Sequence, residues 1–382
     1  MFQNVDHRGT VIALSDRLCR RIWNIIPERQ ETVMYESLGF ETLTAPQAVV
    51  WFALAIGAAF GLLAERTRFC FRRGLVGEDR RAALGVWLTG LAFALLGTQG
   101  AVAMGWINFG DHRFLASELP IAAIVIGGAL FGAGMVLTRG CVSRLTVLTA
   151  SGNLRALTVL AVFAVVAHAT LKGVLTPLRM TLGEITVPLG EMTSLAALPG
   201  GAALWTAGLA VAALAFAARS GNRPLALVGG ALIGLLVPLA WVGTGFVLYD
   251  DFDPIAMQGL AFTSTWSDTL FWTLASTSIP AGFGAGLVGG VLLGSFVSAM
   301  SAGRFAWKSF TSPRETGRYM AGAAMMGVGG VLAGGCTVGA GLSGVPTLSI
   351  AAMLALATVT VGALAANTLL NAVPRGTLHP AE

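Results

Sequence analysis

From Tyr319 to Pro374 the chain runs 56 residues without an Asp, Glu, Lys or Arg. A membrane-spanning helix needs about 20 apolar residues, so this one stretch is long enough to cross a bilayer twice. Further uncharged runs occupy 82–110, 196–218 and 269–303. Charged residues make up 11% of the 382 positions and hydrophobic ones 55%, with a mean hydropathy of +0.75; a soluble domain carries about 25% charge. The chain is therefore read as an all-α polytopic membrane protein. Soluble-enzyme and nucleic-acid-binding functions are excluded, and the formal net charge of +5 reports orientation in the membrane rather than a nucleic-acid partner.

Hydropathy predicts nine spans: 46–64, 84–107, 119–137, 156–176, 196–218, 224–248, 270–299, 319–335 and 346–372. The basic residues supply an independent check. Segments 65–81, 138–155, 219–223, 300–318 and the C-terminal tail hold 6, 3, 2, 4 and 1 Lys+Arg, whereas 108–118, 177–195 (with Lys172 just before it), 249–269 and 336–345 hold 1, 2, 0 and 0. Basic and non-basic connections alternate without a break. The positive-inside rule then places the N-terminus outside and the C-terminus in the cytoplasm. In residues 1–45, Val11, Ile12, Leu14, Leu18, Ile22, Ile25 and Ile26 interleave with Asp16, Arg17, Arg20 and Arg21. That pattern predicts an amphipathic leader lying on a lipid face.

Two internal correspondences suggest a duplicated plan. Phe131-Gly132-Ala133-Gly134 through Gly140-Cys141 matches Met326-Gly327-Val328-Gly329 through Gly335-Cys336 at an offset of 195, and Arg68-Phe69-Cys70 matches Arg304-Phe305-Ala306 at an offset of 236. The expected organisation is a leader at 1–45, a first half at 46–176, connecting helices at 177–269 and a second half with tail at 270–382. Pro46 and Pro280 each stand where they can start a helix. Two halves on one plan are common in transporters, with the site at their interface. Inversion suits the first correspondence but not the second, because the loop count puts Cys70 and Ala306 on the same side.

Three of the four cysteines sit at helix-to-loop breaks: Cys70, Cys141 after Arg139-Gly140, and Cys336 after Gly334-Gly335. Gly140 and Gly335 permit sharp turns, and irregular backbone at membrane depth survives only where it is packed in protein or lines a cavity. Helix starts after such breaks aim free N–H groups inward and favour an anion. A thiol there is a soft, polarisable partner and weak donor, which suits an anion with an exposed sulfur. The bland alternative is that each cysteine is a small buried hydrophobe; Cys19, in the leader, fits that better. Arg66, Arg68, Arg72 and Arg73 flank Cys70, while Arg139 and Arg144 flank Cys141. They serve either topology alone or also as an electrostatic funnel. Apart from Glu65 at a helix end, the acids map to loops or termini, so a carboxylate relay is not expected. No metal or cofactor pattern is present.

At the breaks the chain resembles the YeeE/YedE sulfur-transport family. The resemblance rests on Arg68-Phe69-Cys70, Gly132-Ala133-Gly134-Met135 to Gly140-Cys141-Val142-Ser143-Arg144, Ala333-Gly334-Gly335-Cys336-Thr337-Val338-Gly339-Ala340-Gly341-Leu342-Ser343 and Gly303-Arg304-Phe305. It spans about 46–372. It implies thiosulfate uptake through the bacterial inner membrane, although relatives are linked to selenium, and an hourglass-like fold with two pseudo-symmetric halves and re-entrant Gly-Cys loops. Cys70, Cys141 and Cys336 would line the route, hydrogen-bonding the sulfur in successive steps, and Ala306 makes that three thiols rather than four. It further implies a cytoplasmic TusA-like sulfur-carrier partner. Besides a non-enzymatic importer embedded in membrane lipid, two readings stay open: a membrane sulfurtransferase or thiol oxidoreductase, and a structural membrane subunit.

Overall fold

A computed structural model describes Tyr35, residues 43–110 and residues 112–372. The leader expected over 1–45, with Cys19, falls almost wholly outside the described residues, as does the C-terminal tail from 373 onward. The described chain folds as helices α1 (Ala45–Thr67), α2 (Phe71–Val76), α3 (Arg80–Ala103), α4 (Ile121–Leu137), α5 (Val142–Ala150), α6 (Leu154–Lys172), α7 (Thr176–Gly183), α8 (Gly201–Ala218), α9 (Pro224–Val242), α10 (Thr263–Leu274), α11 (Phe283–Ser301), α12 (Pro313–Leu332) and α13 (Ile350–Ala372). π-Helical turns cover Gly243–Val247 and Thr337–Gly344. Among the described residues, nine helical stretches are long and apolar enough to cross a membrane. That matches the count expected from hydropathy. Three of them, Ala45–Val76, Ile121–Ala150 and Pro313–Thr347, contain the three cysteine breaks.

Glycine sets how these helices pack. A Cβ at Gly57 or Gly61 of α1 would strike the backbone of α11 at Leu287 or Val291, and one at Gly290 or Gly294 would strike α1 at Leu54 or Ala58. Residue numbers rise together along this contact, so α1 and α11 run parallel. Between α4 and α12 they run oppositely: Gly127 meets Leu332 and Ala333, and Gly134 meets Gly322 and Met326. The two sequence correspondences are thus related differently. The offset-195 pair lies on antiparallel helices, as inversion needs, and the offset-236 pair on parallel ones.

All four interior basic connections converge on one end of the bundle. Ala306 and Lys308 donate backbone N–H groups to the Ser151 and Gly152 carbonyls, and Leu154 donates to Lys308. Arg155 pairs with Glu315 at 2.6 Å, and the Asn222 side chain donates to the Ala82 carbonyl at 2.8 Å. The 24 residues of α3 rise about 36 Å away from this end. There the far end closes by different bonds: Ser349 Oγ donates to the Phe114 carbonyl at 2.5 Å and Gln99 to the Pro346 carbonyl at 2.7 Å. His112 packs there among Phe109, Phe114 and Trp241. Burial, aided by Arg113, lowers its pKa to about 4.

Four expectations need correction. The span placed at 270–299 is two elements, because α10 ends at Leu274 and α11 begins at Phe283. Pro280 does not start it: its ring disfavours a helical residue before it, and an extended Gly282 (φ −113°, ψ −175°) is the cap from which α11 starts. Nor are all acids other than Glu65 in loops. Asp268 lies on α10 near Lys172 and His168, where burial pushes its carboxyl pKa up, and Glu315 occupies the first turn of α12. Finally, a two-residue antiparallel ladder, Glu118–Leu119 with Val187–Pro188, interrupts the all-helical plan.

Candidate functional site

Cys70, Cys141 and Cys336 are all buried and unbridged, and all three occupy the same local geometry. Each is the extended residue that caps a helix or π-helix: α2, α5 and the turn Thr337–Gly344 respectively. Two positions before each stands a left-handed residue: Arg68 (φ 53°), Arg139 (φ 59°) and Gly334 (φ 74°). The Cys336 thiol accepts the backbone N–H of Gly339, three residues on, at 3.3 Å, whereas Cys70 and Cys141 cap their helices without a side-chain hydrogen bond. At Cys336 a free N–H group at a helix start is thus met by sulfur in place of the usual oxygen. Gly140 and Gly335 are both buried. A Cβ at Gly335 would come within 2.8 Å of the Ala340 nitrogen, and one at Gly140 within 3.1 Å of Leu145.

The breaks also meet in space. The Cys70 and Cys141 side chains lie close enough to act on each other electrostatically. Cys141 further contacts the Ser143 hydroxyl at 3.3 Å and the Thr337 side chain, and lies within electrostatic reach of Cys336. Phe60 links the outer members: its ring packs on Phe69, beside Cys70, and on Phe262, whose backbone N–H faces Cys336. Trp266 Nε1 anchors α10 to α5 by donating to Thr146 Oγ1 at 2.9 Å.

Beside Cys70, at the basic end of the bundle, opens a cavity of about 490 Å³ lined by Cys70, Arg68, Arg72, Arg73, Arg139, Arg144, Arg304, Lys308 and the single carboxylate Glu65. Two of these cations are already neutralised. Arg304 pairs with Glu65 at 2.5 Å, and Arg73 binds Asp79 through both Nε (2.7 Å) and Nη2, holding that carboxyl below its usual range. Two others are unsatisfied: Arg72 Nε and Arg144 Nη1 are buried with no hydrogen-bond partner among the described residues. A buried donor left unpaired costs about 1–3 kcal/mol. Both arginines lie within electrostatic reach of Cys70 and Cys141, so the cavity offers charged donors beside soft thiols. Among the described residues no cluster of His, Cys, Asp and Glu is placed to hold a metal ion.

The structure gives a place to each residue singled out from sequence. Cys70, Arg139 and Arg144 line the cavity, Cys141 lies within electrostatic reach of Cys336, and the left-handed turn residues are Arg139 and Gly334 rather than Gly140 and Gly335, which are buried with close neighbours instead. Sequence reasoning missed Glu65 as a cavity residue, Arg304 and Lys308 as its far wall, and Ser143 and Thr337 as partners of Cys141. Arg72 was expected either as a topological charge or as part of an electrostatic funnel; the sequence did not show that its Nε is buried without a partner among the described residues. The one legible hint was that Ser143 and Thr337 lie next to cysteines inside the repeated segments.

Arg139 allows a separate test. A left-handed backbone costs a side-chain-bearing residue about 1–2 kcal/mol relative to Gly, and Arg139 is exposed. Arg139→Gly should therefore raise the thermal unfolding midpoint, while a role for its charge would lower anion uptake. A lower midpoint would show that the side chain supports the turn instead.

Known proteins resemble this chain over most of its length. The thiosulfate transporter TsuA of Spirochaeta thermophila is 27% identical over 331 residues, covering 80% of this chain and 94% of the relative. TsuA of Escherichia coli is 27% identical over 321 residues, 76% of this chain and 85% of the relative. The probable transporter YedE of Escherichia coli is 34% identical over 116 residues, 28% of this chain and 26% of the relative. With nine apolar helices and transporters as relatives, this is a multi-pass membrane protein. The family profile for sulphur transport matches residues 66–365 and so includes all three cysteine breaks; the chain belongs to the sulphur transport family.

Proposed function

We propose that this protein carries thiosulfate, or a sulfur anion of the same kind, inward across a bacterial inner membrane along Cys336, Cys141 and Cys70. The observation that carries the reading is that Cys70, one of three neighbouring buried thiols, shares a cavity with Arg72 and Arg144, each of which has a buried nitrogen without a partner among the described residues. Thiosulfate has two chemically different ends. Its oxygens suit Arg72 and Arg144, as charge-assisted acceptors do. Its terminal sulfur suits S–H donors, which are weak enough to release what they bind. Hand-over from one thiol to the next requires no bond to sulfur to break.

In this reading the breaks before Cys70, Cys141 and Cys336 are re-entrant turns, and the two halves of the chain face each other across them. The basic end is cytoplasmic by the positive-inside rule. Its cavity is then the exit, where a TusA-like sulfur carrier would collect the ion. The test is growth of a bacterium stripped of its own sulfate and thiosulfate uptake, with thiosulfate as sole sulfur source. Expression of this protein should restore growth, and expression of the Cys141→Ala protein should not. Equal growth with both proteins would overturn the thiol path. A persistent mass increase on a cysteine during turnover would favour sulfurtransferase chemistry instead.

A further inference from the structure

Glu65 is out of place. It is the one carboxylate lining a cavity that also holds seven cationic side chains, and only 8% of it is exposed. It sits at the end of α1, five positions before Cys70, and lies within electrostatic reach of the unpaired Arg144. Its Oε2 accepts from Ser298 Oγ at 2.8 Å and from Arg304 Nη2 at 2.5 Å. Arg66 donates to Ser298 and Ser301, both at 3.3 Å, and so fixes the hydroxyl that faces Glu65.

A tether between α1 and α11 is a weak explanation for so much arrangement. Those helices are already in backbone contact through Gly57, Gly61, Gly290 and Gly294, and a buried ion pair adds little net stability. A carboxylate is, however, the same kind of acceptor as the oxygen end of a sulfur oxyanion, and competes for the same guanidinium donors.

We propose that Glu65 is a built-in counter-anion: it occupies Arg304 while the cavity is empty and repels the bound anion enough to let it leave. The proposal rests on the transport reading above. Without Glu65, an anion in the cavity faces Arg72, Arg144 and Arg304 with nothing to oppose them, and conduction needs binding weak enough to end. Glu65 acts here as a positioning residue through Arg304 and Arg144; it does not itself contact the sulfur.

The experiment compares initial rates of labelled thiosulfate uptake into proteoliposomes for the unaltered protein, Glu65→Gln and Arg304→Gln. Glutamine keeps the size of the side chain and an acceptor for Ser298. Removing one nearby negative charge in a partly buried site should lower KM by about tenfold and reduce the maximal rate by a similar factor. Arg304→Gln, which leaves Glu65 unpaired beside the path, should raise KM. Unchanged KM in Glu65→Gln, or a lower maximal rate with the same KM, overturns the counter-anion role and leaves a tether. If Glu65→Gln does not fold, an Arg304→Gln protein with KM at or below the unaltered value overturns it equally. Absence of saturable uptake by the unaltered protein overturns the transport reading and this proposal with it.

Discussion

Replacing Cys141 by alanine should cut thiosulfate uptake by more than about tenfold, the cost of losing a hydrogen bond to a charged group. Cys141 is the middle of the cluster: its thiol reaches Cys70, Ser143 and Thr337, and Cys336 lies on its other side. Without it an anion leaving Cys336 meets only the hard hydroxyls of Ser143 and Thr337 before the next thiol. The protein should still fold. Alanine removes one sulfur atom from a buried turn, a loss of about 1 kcal/mol. Serine separates packing from transport, because it restores an atom at that place and a donor but not a polarisable sulfur. Cys141→Ser should therefore match the original unfolding midpoint while regaining little uptake. Full uptake by a folded Cys141→Ala protein would reduce all three cysteines to packing residues.

Removing the unpaired arginines should have an effect of similar size, and an unusual one. Arg72→Gln and Arg144→Gln should each raise the KM for thiosulfate by about tenfold or more, since each withdraws a charge-assisted donor. The double variant should show no saturation. Yet thermal stability should stay level or rise, because Arg72 Nε and Arg144 Nη1 are buried without partners and an uncompensated buried charge opposes folding. Glutamine is neutral and relieves that cost. If these arginines serve only as topological charges, KM will not move. If they brace the fold, stability will fall instead.

Much of the architecture was legible in the sequence because the bilayer imposes a simple rule on length and polarity. Nine spans, the convergence of the basic connections on one end and the three cysteine breaks all follow from uncharged runs, Lys and Arg placement, and Gly-Cys pairs. The misreadings have physical causes. An uncharged run from 269 onward reads as a span whether or not Pro280 and Gly282 interrupt it, so α10 was merged with α11. The parallel pairing of α1 with α11 depends on glycine faces meeting across more than two hundred residues, which no local pattern announces. The cavity was only half readable. The Arg residues beside Cys70 and Cys141 were visible, but their charge alone also satisfies the positive-inside rule. What separates the two roles is that Arg72 and Arg144 lack partners while Arg73 and Arg304 have Asp79 and Glu65. That distinction exists only in the folded chain.

The central claim is that a soft sulfur anion crosses beside these thiols. Its most direct test is uptake of sulfur-labelled thiosulfate into proteoliposomes containing the intact protein, with unlabelled thiosulfate or sulfate as competitor. A thiol-lined path predicts saturable uptake that thiosulfate suppresses and sulfate, which offers only hard oxygens, leaves nearly unchanged. Uptake suppressed equally by both anions would mean that the arginines select for charge alone. No uptake above protein-free vesicles would contradict the account outright.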